Sequence, residues 1–113
     1  MATFKLKCGD DETVRFTITD ANGSAVNLTG GTIKFKIAVN DQTTNANATY
    51  LGSYTSFTDA TNGIHDETIP DSTTGAWTPR TERYQARFID SSGVVISEDI
   101  GAVILERNLL DDE

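Results

Sequence analysis

Alternation of apolar and polar residues with a period of two is the feature that most restricts how this chain can fold. Three segments show it clearly: TFKLKC (3–8), TVRFTIT (13–19) and TIKFKIAV (32–39). Because successive side chains of a β-strand point to opposite faces, each segment predicts a strand with one buried and one exposed face. In the third segment the pattern places Val39 inward. Strands with an exposed face favour antiparallel sheets.

Turn residues separate these segments from one another and from the weaker strand candidates that follow. Asn22-Gly23 predicts a hairpin turn, because both residues tolerate positive φ. We also predict a polar loop over 40–48, a short strand or hairpin at 50–57, and strands at 64–70 and 83–90. A connection with room for one helical turn covers 71–79, and 94–109 forms either one long strand or two halves broken near Gly101. Seven to eight short strands about ten residues apart predict an all-β fold, an immunoglobulin-like antiparallel β-sandwich.

The length of the chain fits one domain. Its 113 residues can bury one modest core, and no repeat or linker divides them. We assign residues 1–110 to a single sandwich domain. Residues 111–113, with the sequence DDE, form an acidic tail that we expect to fray.

The chain is strongly acidic, with nine Lys and Arg against seventeen Asp and Glu and a net charge of −8. Nucleic-acid binding needs clustered basic residues, so this balance argues against it. The balance fits an exposed surface protein or one that docks on a basic partner. A local basic patch remains as an alternative, with the members Lys5, Lys7, Arg15, Lys34 and Lys36. The simpler interpretation is that these residues face solvent.

Cysteine usage and hydropathy point to assembly inside a cell. Cys8 is the only cysteine, so no intramolecular disulfide can form, whereas small secreted domains often contain several. The N-terminal segment lacks a signal-peptide core, and no apolar run is long enough to span a membrane. We therefore expect no membrane association.

Candidate catalytic and metal-binding residues are few. His65 is the only histidine, and its surroundings predict an exposed structural residue. Cys8 shares a face with core residues, which predicts a small buried hydrophobe rather than a nucleophile. One Cys and one His cannot supply a zinc site, and no calcium-loop spacing matches, although Asp-rich turns leave calcium open as an alternative. We predict no enzymatic activity and no cofactor.

Aromatic residues near loops are candidates for contact with a partner. Tyr50, Tyr54 and Trp77 could stack on a carbohydrate. The simpler interpretation is that Trp77 caps one end of the sandwich and the tyrosines pack on a neighbouring strand. We select Tyr50, Leu51, Tyr54 and Trp77 as candidate partner-contact residues, together with the N-terminal strand.

The order of these features resembles a known family. The residues that carry the resemblance lie in the blocks 9–37, 58–70 and 83–107. They are the Gly9-Asp10 pair before the second strand, the D-x-x-G-x-x-x-x-L-T-G corner at 20–30, the D-x-x-N-G turn at 59–63, and Tyr84 followed by the D-x-x-G hairpin at 90–93. In this order they resemble the N-terminal immunoglobulin-like domain of tailed-phage baseplate upper proteins and related small virion proteins. The approach to Tyr84 departs from the family's G-x-Y, and segment 40–58 is expanded.

The resemblance implies a structural role in a phage particle. The leading hypothesis is a virion protein, complete at Glu113, that binds phage capsid or tail proteins as a capsid decoration or accessory protein. It would be assembled in the host cytoplasm, with copies arranged around a symmetry axis, for example as a trimer. The alternatives are a baseplate or tail adaptor, a carbohydrate- or host-surface-binding module, and a hydrolase that depends on His65.

Overall fold

The residues that the structure describes form a β-sandwich of seven strands. The structure, a computed structural model, describes residues 3–40 and 47–107. The strands are β1 (Thr3–Cys8), β2 (Glu12–Thr17), β3 (Thr32–Ala38), β4 (Tyr50–Tyr54), β5 (Ile64–Ile69), β6 (Arg80–Ile89) and β7 (Val95–Arg107). The described residues also contain one turn of α-helix, α1 (Asp71–Thr74), and a 3-10 turn at Ala60–Asn62. The all-β sandwich predicted from the sequence is confirmed.

Two sheets of unequal size enclose the core. The larger sheet has the strand order β1-β7-β6-β3-β4, and the smaller consists of β2 and β5. Adjacent strands are antiparallel except β1 and β7, which run parallel from Thr3 opposite Ala102 to Cys8 opposite Arg107. The exposed strand faces had predicted antiparallel pairing throughout. A hairpin would force two neighbouring strands to be antiparallel, but no hairpin joins β1 to β7, so these two strands can pair in the parallel direction.

The core follows the predicted alternation. Its buried apolar side chains come from both sheets and from the connections between strands: Leu6, Cys8, Phe16, Ile18, Leu28, Ile33, Phe35, Ile37, Ile69, Trp77, Tyr84, Ala86, Phe88, Val103 and Leu105. The prediction for Val39 was wrong, because β3 ends at Ala38 and the Val39 side chain is 47% exposed. The pleat that alternates side chains holds only while the strand continues.

A repeated Asp-x-x-Gly turn closes the chain at two places. At the first, an Asp20 carboxylate oxygen accepts hydrogen bonds from the backbone N–H groups of Asn22 (2.8 Å) and Ser24 (3.0 Å). At the second, Asp90 does the same for the second and fourth residues that follow it. Gly23 has a φ of 83°, but no described residue other than glycine has positive φ. The predicted turn is therefore present, but its mechanism differs: the Asp20 side chain and Gly23 form it, and Asn22 does not adopt positive φ.

The corner between the sheets is anchored as expected from its sequence. Leu28 is fully buried, and its N–H donates to the Ala60 carbonyl oxygen at 2.9 Å. Gly30 then adopts a φ of 81° before β3 begins. The corner is thus built by a buried leucine, a backbone hydrogen bond and a glycine with positive φ.

Candidate protein-docking surface

The single histidine belongs to the core and not to an exposed surface, which corrects the prediction. His65 lies opposite Phe16 in the β2–β5 ladder and is 6% exposed. Its Nε2 is 2.9 Å from a Glu67 carboxylate oxygen, and the Thr58 N–H is 3.3 Å from its Nδ1. The ring stacks on Phe16, with centroids 6.2 Å apart. Cys8 is buried in the other sheet, as predicted.

The carboxylates of the Asp-rich turns have structural partners. Asp11 accepts a hydrogen bond from the Asp71 N–H at 2.7 Å, and Asp59 accepts one from the Asn62 amide at 3.0 Å. Over residues 3–40 and 47–107, no group of three His, Cys, Asp or Glu side chains could hold a metal ion. Within the same ranges, no helix is long and apolar enough to cross a membrane.

The exposed face of the smaller sheet is held by a cross-strand ion pair. Arg15 contacts both Asp66 carboxylate oxygens, from Nε at 2.7 Å and from a terminal nitrogen at 2.9 Å. The hydrogen bonds from Arg15, with its positive charge, hold the pKa of Asp66 below its usual range. Arg15, one of the candidates for a basic patch, therefore has its charge matched by a neighbour.

Tyr50 and Tyr54 meet over a glycine on the inner side of β4. Their hydroxyl oxygens are 2.6 Å apart. Gly52 lies between them, and a Cβ there would come within 2.6 Å of the Tyr54 ring. Tyr54 also packs against Phe16 and His65. Both tyrosines are thus half-buried. Tyr50 contacts Phe35 of the neighbouring β3, as the simpler interpretation held, whereas Tyr54 packs on the opposite sheet.

Trp77 and Leu51 lie in opposite environments. Trp77 is 8% exposed and contacts the Tyr50 ring edge-on, with centroids 6.2 Å apart. A ring this buried offers no open face on which a sugar could stack. Leu51 is 54% exposed on the outer side of β4. Of the four candidate contact residues, only Leu51 has a largely exposed side chain.

The tyrosine pair gives a testable pH dependence. Burial, and then the hydrogen bond with Tyr50, raise the pKa of Tyr54. Above about pH 10 a tyrosine of the unfolded chain loses its proton, so unfolding releases a proton and the free energy of unfolding falls as pH rises. We expect the loss of stability between pH 8 and pH 11, measured by urea unfolding, to be smaller in Tyr54→Phe. Equal losses in the two proteins would contradict this assignment.

Basic residues gather on the outer face of the larger sheet. Six of the nine basic residues alternate outward there: Lys5 and Lys7 on β1, Lys34 and Lys36 on β3, and Arg83 and Arg87 on β6. We call these six residues the basic sheet face. Among the described acidic residues, only Glu98 and Glu106 of β7 project from the same side. A strongly acidic protein therefore has one basic face.

Shallow depressions and apolar side chains interrupt this face. One depression of about 270 Å³ is lined by Lys36, Ala38, Asn40, Arg83, Tyr84, Gln85 and Ile100. A second of about 180 Å³ is lined by Lys34, Phe35, Lys36, Leu51, Gln85 and Arg87. Leu51 is 54% exposed and Ile100 38%. The face therefore combines basic groups with exposed apolar side chains on either side of them, and protein–protein contact surfaces likewise contain both kinds of group.

Comparison with solved structures finds the same architecture in a phage protein. The N-terminal domain of phage TP901-1 ORF48 is similar over 93% of this chain and 85% of its own, with a TM-score of 0.61 and 19% sequence identity. The two chains share a fold. No protein-family model and no curated protein matches the sequence. The likeness agrees with the resemblance to phage virion domains that the turn motifs indicated.

One buried carboxylate was not predicted from the sequence. Glu82 is 1% exposed, receives hydrogen bonds from Arg80 and Thr49, and lies in β6, which begins three residues before the predicted strand. The burial of Glu82 was missed because it lies in the charged segment TPRTER (78–83), and charged residues rarely face a core. The available signal was that Glu82 is in phase with Tyr84 in the alternation.

Proposed function

We propose that this protein is a non-enzymatic structural component of a tailed-phage particle that attaches to assembled particle proteins. The likeness to the N-terminal domain of phage TP901-1 ORF48 carries the proposal. The turn motifs that first suggested the resemblance support it, since each builds a corner or hairpin of the shared fold. Within the described residues, His65 and the loop carboxylates have structural partners, which favours attachment over catalysis.

A protein that attaches in this way could lie at either of two positions in the particle. Capsid decoration is our leading assignment, and a baseplate or tail adaptor is the alternative. The family resemblance includes baseplate upper proteins, and this supports the alternative equally well. Copies arranged around a particle symmetry axis, for example as a trimer, would give each copy the same contacts.

Co-sedimentation tests both the function and the placement. The purified protein is mixed separately with phage heads and with tails from particles that lack it, and the bound fraction is measured against protein concentration. We expect saturable binding. Saturation on heads supports capsid decoration, and saturation on tails alone supports the adaptor role. Binding to neither, with binding to host cells, would overturn the structural role and favour a host-surface-binding module.

A further inference from the structure

We propose that the basic sheet face is the surface through which the protein docks, and that its partner is a carboxylate-rich surface on another protein of the particle. This inference rests on the proposed attachment function and adds to it the docking face and the chemistry of the partner. The outer face of the larger sheet is the part of the described surface where charge opposes the net charge of −8.

The register of the strands brings like charges together on this face. Lys34 of β3 lies directly opposite Arg87 of β6. Lys36 lies opposite Gln85, which places it diagonally between Arg87 and Arg83. Like charges directly opposite each other destabilise a sheet. Glu98 offsets part of this repulsion, because its carboxylate is 2.9 Å from an Arg87 nitrogen. An arrangement that costs stability is typical of a surface kept for binding.

The distribution of charge also orients the protein toward an acidic partner. The described acidic residues lie mainly on turns and on the smaller sheet, at positions such as Asp10, Asp20, Asp59 and Asp66. An acidic surface is therefore repelled by most of this molecule and attracted by one face. Such complementarity sets orientation and accelerates association more than it raises affinity.

The same face is better suited to a protein than to a nucleic acid. One row across the sheet runs Ile100, Gln85, Lys36, Leu51, so that apolar side chains lie at both ends of it. Glu98 and Glu106 lie among the basic groups, at 2.9 Å from Arg87 and 3.5 Å from Lys5. A polyanion would be repelled by these carboxylates and by the net charge, whereas a protein surface can match single charges and apolar contacts.

A pair of variants with equal net charge separates the role of this face from a general effect of charge. Lys34→Gln/Lys36→Gln removes two positive charges from the basic sheet face. Thr17→Glu/Thr61→Glu adds two negative charges at exposed positions elsewhere. Both variants have a net charge of −10, so they differ in where the charge changes. Binding to heads and to tails that lack the protein is measured by co-sedimentation at low and at physiological salt.

We expect the lysine variant to bind roughly tenfold more weakly than the native protein, and the threonine variant to bind within about twofold of it. Equal binding by all three proteins would overturn the docking face while leaving the attachment function intact. Failure of the native protein to bind any particle would overturn the attachment function, and the docking face with it.

Two further measurements test whether a second copy of this chain or a nucleic acid binds to the basic sheet face instead. Sedimentation velocity of the protein alone, and binding to double-stranded DNA, are measured for the same three proteins. We expect that substituting Lys34 and Lys36 changes neither the self-association of the protein nor its binding to DNA. Lysine-dependent self-association would make the occupant a second copy, and lysine-dependent DNA binding without particle binding would make it a nucleic acid. Either result overturns the proposed partner.

The stability of Lys34→Gln/Lys36→Gln shows whether these lysines serve binding or support the fold. Because Lys34 and Arg87 repel each other across the strands, Lys34→Gln/Lys36→Gln should leave the urea midpoint unchanged or raise it, while binding is lost. A lowered midpoint that parallels the loss of binding would show that the lysines support the fold, and it would contradict the proposal.

Discussion

Gly63→Ala should destabilise the protein by about 3 kcal/mol or more. Gly63 has a φ of 72°, which is costly for any residue with a Cβ. A Cβ would also lie 2.6 Å from the Ile18 carbonyl oxygen and 2.9 Å from the Val26 carbonyl oxygen. Both contacts are with backbone that is hydrogen-bonded in place, since the Ile18 N–H donates to Gly63 at 2.8 Å. The substitution would therefore separate the strand ends that close the smaller sheet.

Gly93→Ala is the matched control for this prediction. Gly93 has a similar φ of 85°, but a Cβ there would meet nothing within 4 Å. We expect Gly93→Ala to cost only the conformational strain, about 1 kcal/mol. Urea unfolding of both variants separates strain from steric overlap. If the two variants lose the same stability, the backbone approach at Gly63 has no energetic consequence.

Arg80→Ala should cost about 2 to 3 kcal/mol, because it leaves the buried carboxylate of Glu82 without its cationic partner. Arg80 Nε lies 2.5 Å from Glu82, whose side chain is 1% exposed, while that of Arg80 is 48% exposed. The cost in stability should therefore depend on which member of the ion pair is replaced. Replacing the carboxylate in Glu82→Met removes the buried charge and lets Arg80 turn to solvent, so its cost should remain below about 1 kcal/mol.

The double variant and an exposed pair provide the controls. Arg80→Ala/Glu82→Met should recover most of the stability that Arg80→Ala loses, as measured by the urea midpoint. Arg87→Ala removes a comparable ion pair to Glu98, but both of its side chains are more than a third exposed, so its cost should be below about 1 kcal/mol. A cost for Arg87→Ala equal to that of Arg80→Ala would show that the burial of Glu82 is unimportant.

The strands and the core were predictable because alternation is a local signal. Phe16, Phe35 and Phe88 are in the core because each lies in a segment whose neighbours alternate with it. The end of β3 was not predictable, since Val39 continues the pattern one residue beyond the last strand position. Segment 40–48 falls partly outside the described residues, and the acidic tail at 111–113 lies wholly outside them.

The sequence only partly distinguished which of the candidate contact residues are buried and which are exposed. Tyr50, Tyr54 and Trp77 carry polar groups on large apolar rings, so burial and exposure are both reasonable for them. Their packing depends on Gly52, which leaves room for the tyrosines to meet, and on rings from distant segments. The role of all four candidates in binding a partner stays a prediction.

The sequence by itself determined the strands, the Asp-x-x-Gly turns and the all-β class, because period-two alternation and turn chemistry act over a few neighbouring residues. Only the tertiary structure decided that His65 is buried and that β1 runs parallel to β7. It also decided that Lys34 meets Arg87, since strand register joins residues far apart in the chain. Contacts of this kind depend on the packing of whole sheets, which no local pattern encodes.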